Sequence, residues 1–164
     1  MNQTDARATA AAFADEGSQY LTFTMAGEEY GVEILKVQEI KGYSAITHIP
    51  NTPAYVKGVM NLRGTIIPVI DLRAKLAMAE GQYNQFTAIV VLTVGAKTMG
   101  MVVDAVSDVL KIPRAEVQAA PDFGAAVDAR FISGMAKTGE KLVVLLDIDR
   151  ILGSEDVVAV GTDN

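Results

Sequence analysis

The sequence predicts a mostly β protein built as a pseudo-symmetric pair of small barrels, and three observations carry that prediction. First, YVKGVMNLRGTIIPVIDLRAKL (residues 55–76) aligns without a gap on FISGMAKTGEKLVVLLDIDRIL (residues 131–152). Gly58 falls on Gly134, Asp71 on Asp147 and Leu76 on Leu152, while pairs such as Ile66/Leu142 and Val69/Leu145 stay apolar. Second, GVEILKVQEI (residues 31–40) echoes GMVVDAVSDV (residues 100–109), matching Gly31 to Gly100, Val37 to Val106 and Glu39 to Asp108. The spacing between the two echoes differs by several residues, as expected when a loop changes length between two copies. Third, short apolar runs recur with turn signals about every 8 to 12 residues, the pattern of small barrels. Two copies are too few for an open solenoid, which needs more units to bury a continuous core.

Taken in order, Leu21, Phe23 and Met25 alternate with threonines, Gly27-Glu28-Glu29 breaks the run, and Tyr30-Gly31-Val32 resumes it. That predicts two strands joined by a tight turn. The stretch Ile34 to Ile40 fits a bulged strand or a helical turn, with strand the preferred reading. Residues 48–55, HIPNTPAY, place two prolines close together and so read as an irregular connection. Gly58-Val-Met, the Asn61-Leu62-Arg63-Gly64 turn and Thr65 to Ile70 read as a hairpin. Asp71 then reads as an N-cap of a short helix that turns Leu72 and Leu76 inward. Asp147 with Ile148 and Leu152 repeats the device, with Gly153 at the helix end.

The composition turns polar at residues 81–84, where the boundary between the two barrels is expected, giving a first barrel over about 18–80 and a second over about 81–152. Phe86 to Val94 predicts a strand, Ala96-Lys97-Thr98 a turn, and Met99 to Val103 and Val106 to Ile112 two further strands. A connection with Arg114, Glu116, Pro121 and Phe123 follows Pro113. Exchange of strands or termini between the barrels is compatible with this reading. Residues 1–17 and 153–164 read as tails.

At 164 residues, half of them hydrophobic, the chain can form one domain or two subdomains of roughly 65 to 70 residues, small enough to need a shared interface. A formal charge of −6 and the absence of Trp leave neither a basic stripe nor stacking surface for nucleic acid. With no cysteine and one histidine, His48, thiolate catalysis and cysteine-based zinc sites are excluded. No apolar run approaches the ~20 residues of a membrane helix, and the N-terminus lacks the pattern of a secretion signal, so a cytoplasmic location is expected. Phosphate-binding glycine loops and a GxSxG elbow are missing. Carboxylates are plentiful, but Asp71 and Asp147 read as caps and Asp104 and Asp108 as charges on a strand edge, so a carboxylate hydrolase is the weakest alternative.

The stretches EEYGVEILKVQEIKGY and NTPAYVKGVMNLRGTIIPVIDLR resemble the signature of CheW-type chemotaxis coupling proteins, and VVDAVSDVLKI, PDF and LLDIDRIL fit the same family. The resemblance, strongest to the enteric type, runs from about Gln19 to Leu152. It implies two SH3-like five-stranded β-barrels related by a pseudo-twofold. It also implies a non-enzymatic adaptor, without cofactor, that couples methyl-accepting chemoreceptors to the histidine kinase CheA at membrane-associated arrays. An adaptor of another chemosensory pathway shares the same motifs. No kinase or receiver motif accompanies the barrels, which favours a stand-alone adaptor.

Carried over by motif, the resemblance implies a receptor-binding groove between the barrels at Val37, Glu39, Gly58, Arg63, Val106 and Val109. Each valine also reads as barrel core, and Arg63 as a solvated charge or the partner of Glu39. Phe123 resembles an aromatic at a contact with the like-folded regulatory domain of CheA, where end-to-end docking can close rings. Gln118 departs from the basic residue usual in that family, which weakens the polar support for the contact.

Overall fold

The computed structural model describes residues 18–119 and 129–153. The strands are β1 Ser18–Met25, β2 Glu28–Glu33, β3 Val37–Gly42, β4 Val56–Leu62, β5 Thr65–Asp71, β6 Ala88–Val94, β7 Lys97–Val103, β8 Ala105–Ile112, β9 Val117–Gln118, β10 Ile132–Thr138 and β11 Lys141–Leu146. Two short helices follow the last long hairpin strands, α1 Leu72–Lys75 after β5 and α2 Ile148–Leu152 after β11. Both are capped as the sequence predicts. The Asp71 carboxylate accepts from the Arg73 amide, that of Asp147 accepts from the Arg150 amide, and Gly153 ends α2. Leu72, Leu76, Ile148 and Leu152 are all buried.

The strands form two sheets that are the walls of two small barrels. One runs β3-β6-β7-β5-β4 and the other β8-β1-β2-β11-β10-β9. The first barrel is therefore continuous in sequence, whereas the second takes β1 and β2 from one end of the chain and β8 to β11 from the other. The division into sheets does not follow the sequential halves on either side of residue 80. The crossings occur at the second echo. Ile34–Lys36 is one turn of 3-10 helix that carries the chain from β2 to β3, and Asp104 separates β7 from β8. Ile34 to Ile40 is thus a helical turn followed by a bulged strand, with the irregularity between Val37 and Glu39, and the strand reading holds only from Val37. The β6–β7 turn also sits slightly earlier than expected, at Gly95 and Ala96, with Lys97 and Thr98 already in β7.

The register is pseudo-symmetric. β5 runs parallel to β7 with Val69 opposite Gly100, and β11 runs parallel to β2 with Leu145 opposite Gly31. In each of these two ladders the two sequence echoes meet. β10 pairs with the two-residue β9, and in the continuous barrel a single bridge between Thr47 and Val59 stands in its place. Gly58 and Gly134 explain their repetition here. A Cβ on Gly58, whose φ is +147°, would lie 2.0 Å from the Thr47 carbonyl oxygen, and one on Gly134 would lie 2.6 Å from Val117 Cγ1. Both strands need a bare backbone where a neighbour crosses.

Alternation sorts the apolar residues into three cores. Ile67, Val69, Ile89, Val91 and Val102 fill the continuous barrel, and Ile112, Ala136, Val143 and Leu145 fill the composite one. The largest cluster lies between the barrels, with Leu21, Phe23 and Met25 of β1, Val90 and Leu92 of β6, Met99 and Met101 of β7, and the helix residues Leu72, Leu76, Ile148, Ile151 and Leu152. Both faces of β6 are buried from Ala88 to Leu92, so that stretch reads as an unbroken apolar run before Thr93.

Polar ties brace the junction with their charges exchanged. The Arg73 guanidinium on α1 forks onto Asp104 at the β7–β8 crossing, with Nε 2.8 Å from Oδ1, and Asp104 Oδ2 also accepts the Ala26 amide at 2.9 Å. On the other side Lys36, at the β2–β3 crossing, donates to Asp149 of α2 at 2.8 Å. Arg73 and Asp149 occupy matching places in the repeat. Lys75 Nζ lies 4.1 Å from the Tyr55 ring centre and 5.8 Å from that of Phe131, two more matching residues.

Candidate binding surface

Edge strands decide where a partner can reach this fold. In the continuous barrel the edges are β3 and β4, and Arg63 from the β4–β5 turn joins them by donating to Glu39 on β3. Arg63 and Gly64 form a two-residue turn with φ of +50° and +91°, the left-handed pair that suits a twisted hairpin. Asn61 Oδ1 accepts the Gly64 amide at 2.7 Å, and Leu62 is buried beneath. Each member of Asn61-Leu62-Arg63-Gly64 thus has a distinct task, and the guanidinium is the part left at the surface. Its hydrogen bond holds the Glu39 carboxyl below the usual carboxylate range, and Glu39 raises the Arg63 guanidinium in turn.

Val37 on β3 and Val106 on β8 are half-buried and pack against the core between the barrels, so each has one side on that core and one towards solvent. Val109 is 45% exposed. An irregular register between Val106 and Asp108 returns Val109 to the face of Val106, opposite Leu21 and Phe23 of β1. Gly58 is buried on β4 against Thr47 and Ile46 and presents no side chain to a partner. The structure joins Glu39 directly to Arg63, and it joins Val37 to Val106 through a common core. Gly58 lies on β4, the other edge strand, where its close neighbours are Thr47 and Ile46.

Ile40 was not among the residues singled out from the sequence. It is 46% exposed and, through the second echo, matches Val109. The signal was present in the alignment of residues 31–40 with 100–109, whose last pair is Ile40/Val109. Both barrels therefore expose one aliphatic side chain at the same place on an edge strand.

Of the remaining candidates, His48 is exposed, Gln118 is an exposed residue of β9, and Phe123 lies outside the described residues. Asp104 is consumed by Arg73 and the Ala26 amide. Although burial would raise it, those hydrogen bonds hold its carboxyl below the ordinary range, the wrong direction for a proton donor. Among the described residues no group of three or more His, Asp or Glu side chains is placed to hold a metal ion. No helix there is long and apolar enough to cross a membrane.

Fold and surface together define a pseudo-symmetric double-barrel module whose exposed groups suit protein contact. The chain belongs to the CheW-like domain family, whose model matches residues 19–156. It is 44% identical over 144 residues to the chemotaxis protein CheW of Klebsiella aerogenes, covering 88% of this chain and 87% of that protein. The chemotaxis protein CheW of Rhizobium meliloti is 33% identical, with 85% and 90% covered. Among solved structures, the scaffolding protein TtCheW of Thermoanaerobacter tengcongensis superposes with a TM-score of 0.78 at 30% identity, covering 85% of this chain and 90% of that one.

Proposed function

We propose that this chain is a non-enzymatic adaptor that couples methyl-accepting chemoreceptors to the histidine kinase CheA in chemotaxis arrays. The observation that carries the reading is the match of most of the chain to proteins named as chemotaxis proteins, one of them at 44% identity. Receptor contact falls on the aliphatic side chains of the two edge strands, Val37, Val106 and Val109, with Ile40 beside them. The paired Glu39 and Arg63 sit on the rim and fix orientation. Gly58 acts from beneath by letting β4 approach Thr47. Phe123 belongs to the kinase contact. In domain terms the continuous barrel and the composite barrel, with their strands exchanged, form one CheW-like unit over residues 18–152. The protein is cytoplasmic and reaches the membrane only through receptors.

The deciding experiment measures CheA autophosphorylation with receptor signalling fragments, with and without this protein. The adaptor reading expects receptor-dependent control of the kinase only when the protein is present, and binding of both partners at tens of micromolar or better. Failure of both partners to bind sinks it.

A further inference from the structure

The pseudo-twofold gives each residue at the mouth of one barrel a counterpart in the other, and at one place the counterparts differ in size and charge. In the continuous barrel the mouth beside Glu39 is filled. Leu62, Ile67 and Val91 are buried there, and Arg63 lies across the Glu39 carboxylate. By the two repeats, Leu62 falls on Thr138, Ile67 on Val143, Glu39 on Asp108 and Arg63 on Gly139. Thr22 pairs with Asp108 across the β1–β8 ladder as Val91 pairs with Glu39 across β6–β3. Even the neighbouring hydrogen bonds correspond, Ser107 to Glu29 at 3.1 Å for Gln38 to Thr98 at 3.1 Å.

At its mouth the composite barrel therefore has the smaller Thr138 for Leu62, the isosteric but polar Thr22 for Val91 and no guanidinium, with Lys141 where the other barrel has Thr65. A cleft of about 300 Å³ opens there, lined by Thr22, Glu29, Ser107, Asp108, Thr138 and Val143, among others. Its charge remains. Among the described residues the Asp108 carboxylate receives one hydrogen bond, from the Val109 amide, and no ion pair. Lys141 stands at the rim, 71% exposed, 3.9 Å from Glu29 and not on Asp108. Gly139 has a φ of +63°, close to the +50° of Arg63, so the first turn position is left-handed in both copies with the side chain removed in the second, although Glu140 does not share the positive φ of Gly64.

We propose that this cleft receives an arginine side chain presented in trans by a partner polypeptide, seated against Asp108 as Arg63 is seated against Glu39. The continuous barrel shows that this backbone frame holds a guanidinium on the matching carboxylate. The planar fork of arginine suits a carboxylate flanked by hydroxyls better than a lysine does. The net charge of −6 favours approach of a cationic segment. The cleft shares β8 with Val106 and Val109, so its occupancy is separated from the receptor and kinase reading by testing it with arginine alone, in the absence of both partners.

The test is a backbone amide NMR titration of the full chain with N-acetyl-arginine amide, run beside N-acetyl-citrulline amide, which has the same shape without the charge. The amides of Ser107, Asp108, Val109 and Thr138 should shift saturably with arginine, with a Kd on the order of 10 mM, and not with citrulline. Asp108→Asn should abolish the response while the rest of the spectrum stays put. Gly139→Arg should shift the same amides with no ligand added and weaken the response at least ~5-fold. Equal shifts with arginine and citrulline, or an arginine response that survives Asp108→Asn, overturns the proposal. Should Gly139→Arg fail to fold, Asp108→Asn alone decides.

Discussion

The barrel formed by β3 to β7 and the barrel formed by the two ends of the chain carry the same hairpin, the same glycine before it and the same capped helix after it, yet they finish their mouths differently. In one, Leu62 plugs the interior and Arg63 ties the turn to Glu39. In the other, Thr138 and Gly139 leave a polar cleft beside Asp108. Positions that set backbone geometry were held, and the positions around each barrel mouth diverged, buried ones such as Leu62 and Val91 included. Duplication supplies a frame, and the exposed tip of each copy is then free to take its own partner.

The sharpest way to break this comparison is to place the same substitution at both repeated glycines. Gly58→Ala puts a methyl group 2.0 Å from a backbone oxygen at a left-handed φ, which nothing nearby can relieve. It should cost about 3 kcal/mol or more in urea unfolding, or abolish folding. Gly134→Ala meets the end of the Val117 side chain, which can turn aside, and the Gln118 carbonyl oxygen at a tight but less severe 3.1 Å, and should cost roughly 1 to 2 kcal/mol. Equal losses at the two sites would mean that the two glycines face equivalent obstacles, against the backbone and side-chain contacts seen here.

Next come the two ties with exchanged charges. Asp104→Asn removes a forked ion pair whose side chains are 20% and 30% exposed, and should cost about 1 to 2 kcal/mol. Asp149→Asn, in a pair at 35% and 51% exposure, should cost less. The pH dependence follows in sign. The folded carboxyl of Asp104 lies below its ordinary value of 3.8, so its contribution is complete above that pH and is lost as pH falls below it. Acid titration of stability should therefore lose part of its limb below pH 3.8 in Asp104→Asn.

A smaller contrast separates core from contact among the valines. Val106→Ala should cost about 1 kcal/mol because one side packs on the central core. Val109→Ala should leave the melting temperature nearly unchanged and weaken receptor binding instead. The smallest effect on stability belongs to Arg63→His, which should leave unfolding curves superimposable and lower receptor affinity by roughly 10-fold. If Arg63→His unfolds the protein, the Glu39–Arg63 tie is structural and the rim assignment fails.

How much of this was legible in the sequence depends on range. Alternation found the strands, Asp71 and Asp147 announced their helices, and the gapless repeat announced the pair of barrels, because each signal lies within a few residues of its cause. The ambiguity at Ile34 to Ile40 was physical, since a 3-10 turn and a bulged strand share that stretch. Which strands join which sheet was not readable. β1 could pair with β8 only through contacts spanning the chain, and local pattern does not encode them. The Glu39–Arg63 pair came from the family motif rather than from spacing. The cleft beside Asp108 stayed hidden because Thr22 and Thr138 look ordinary until their counterparts Val91 and Leu62 are seen filling the same space.

The crossings after β2 and β7 also impose an order on the life of the chain. As the polypeptide leaves the ribosome, the β1–β2 hairpin emerges first but its neighbours β8 and β11 lie beyond residue 104. At about 5 to 20 residues per second, the hairpin waits on the order of 4 to 15 seconds with both edges unpaired. Strands β3 to β7 meanwhile have every sheet partner they need. Ribosome-arrested chains in which residues 1–103 are followed by an unstructured linker long enough to clear the exit tunnel should show protease protection over residues 37–103 and none over 18–33. In the cell, the apolar face of Leu21, Phe23 and Met25 is then a target for chaperones until the last third of the message has been read.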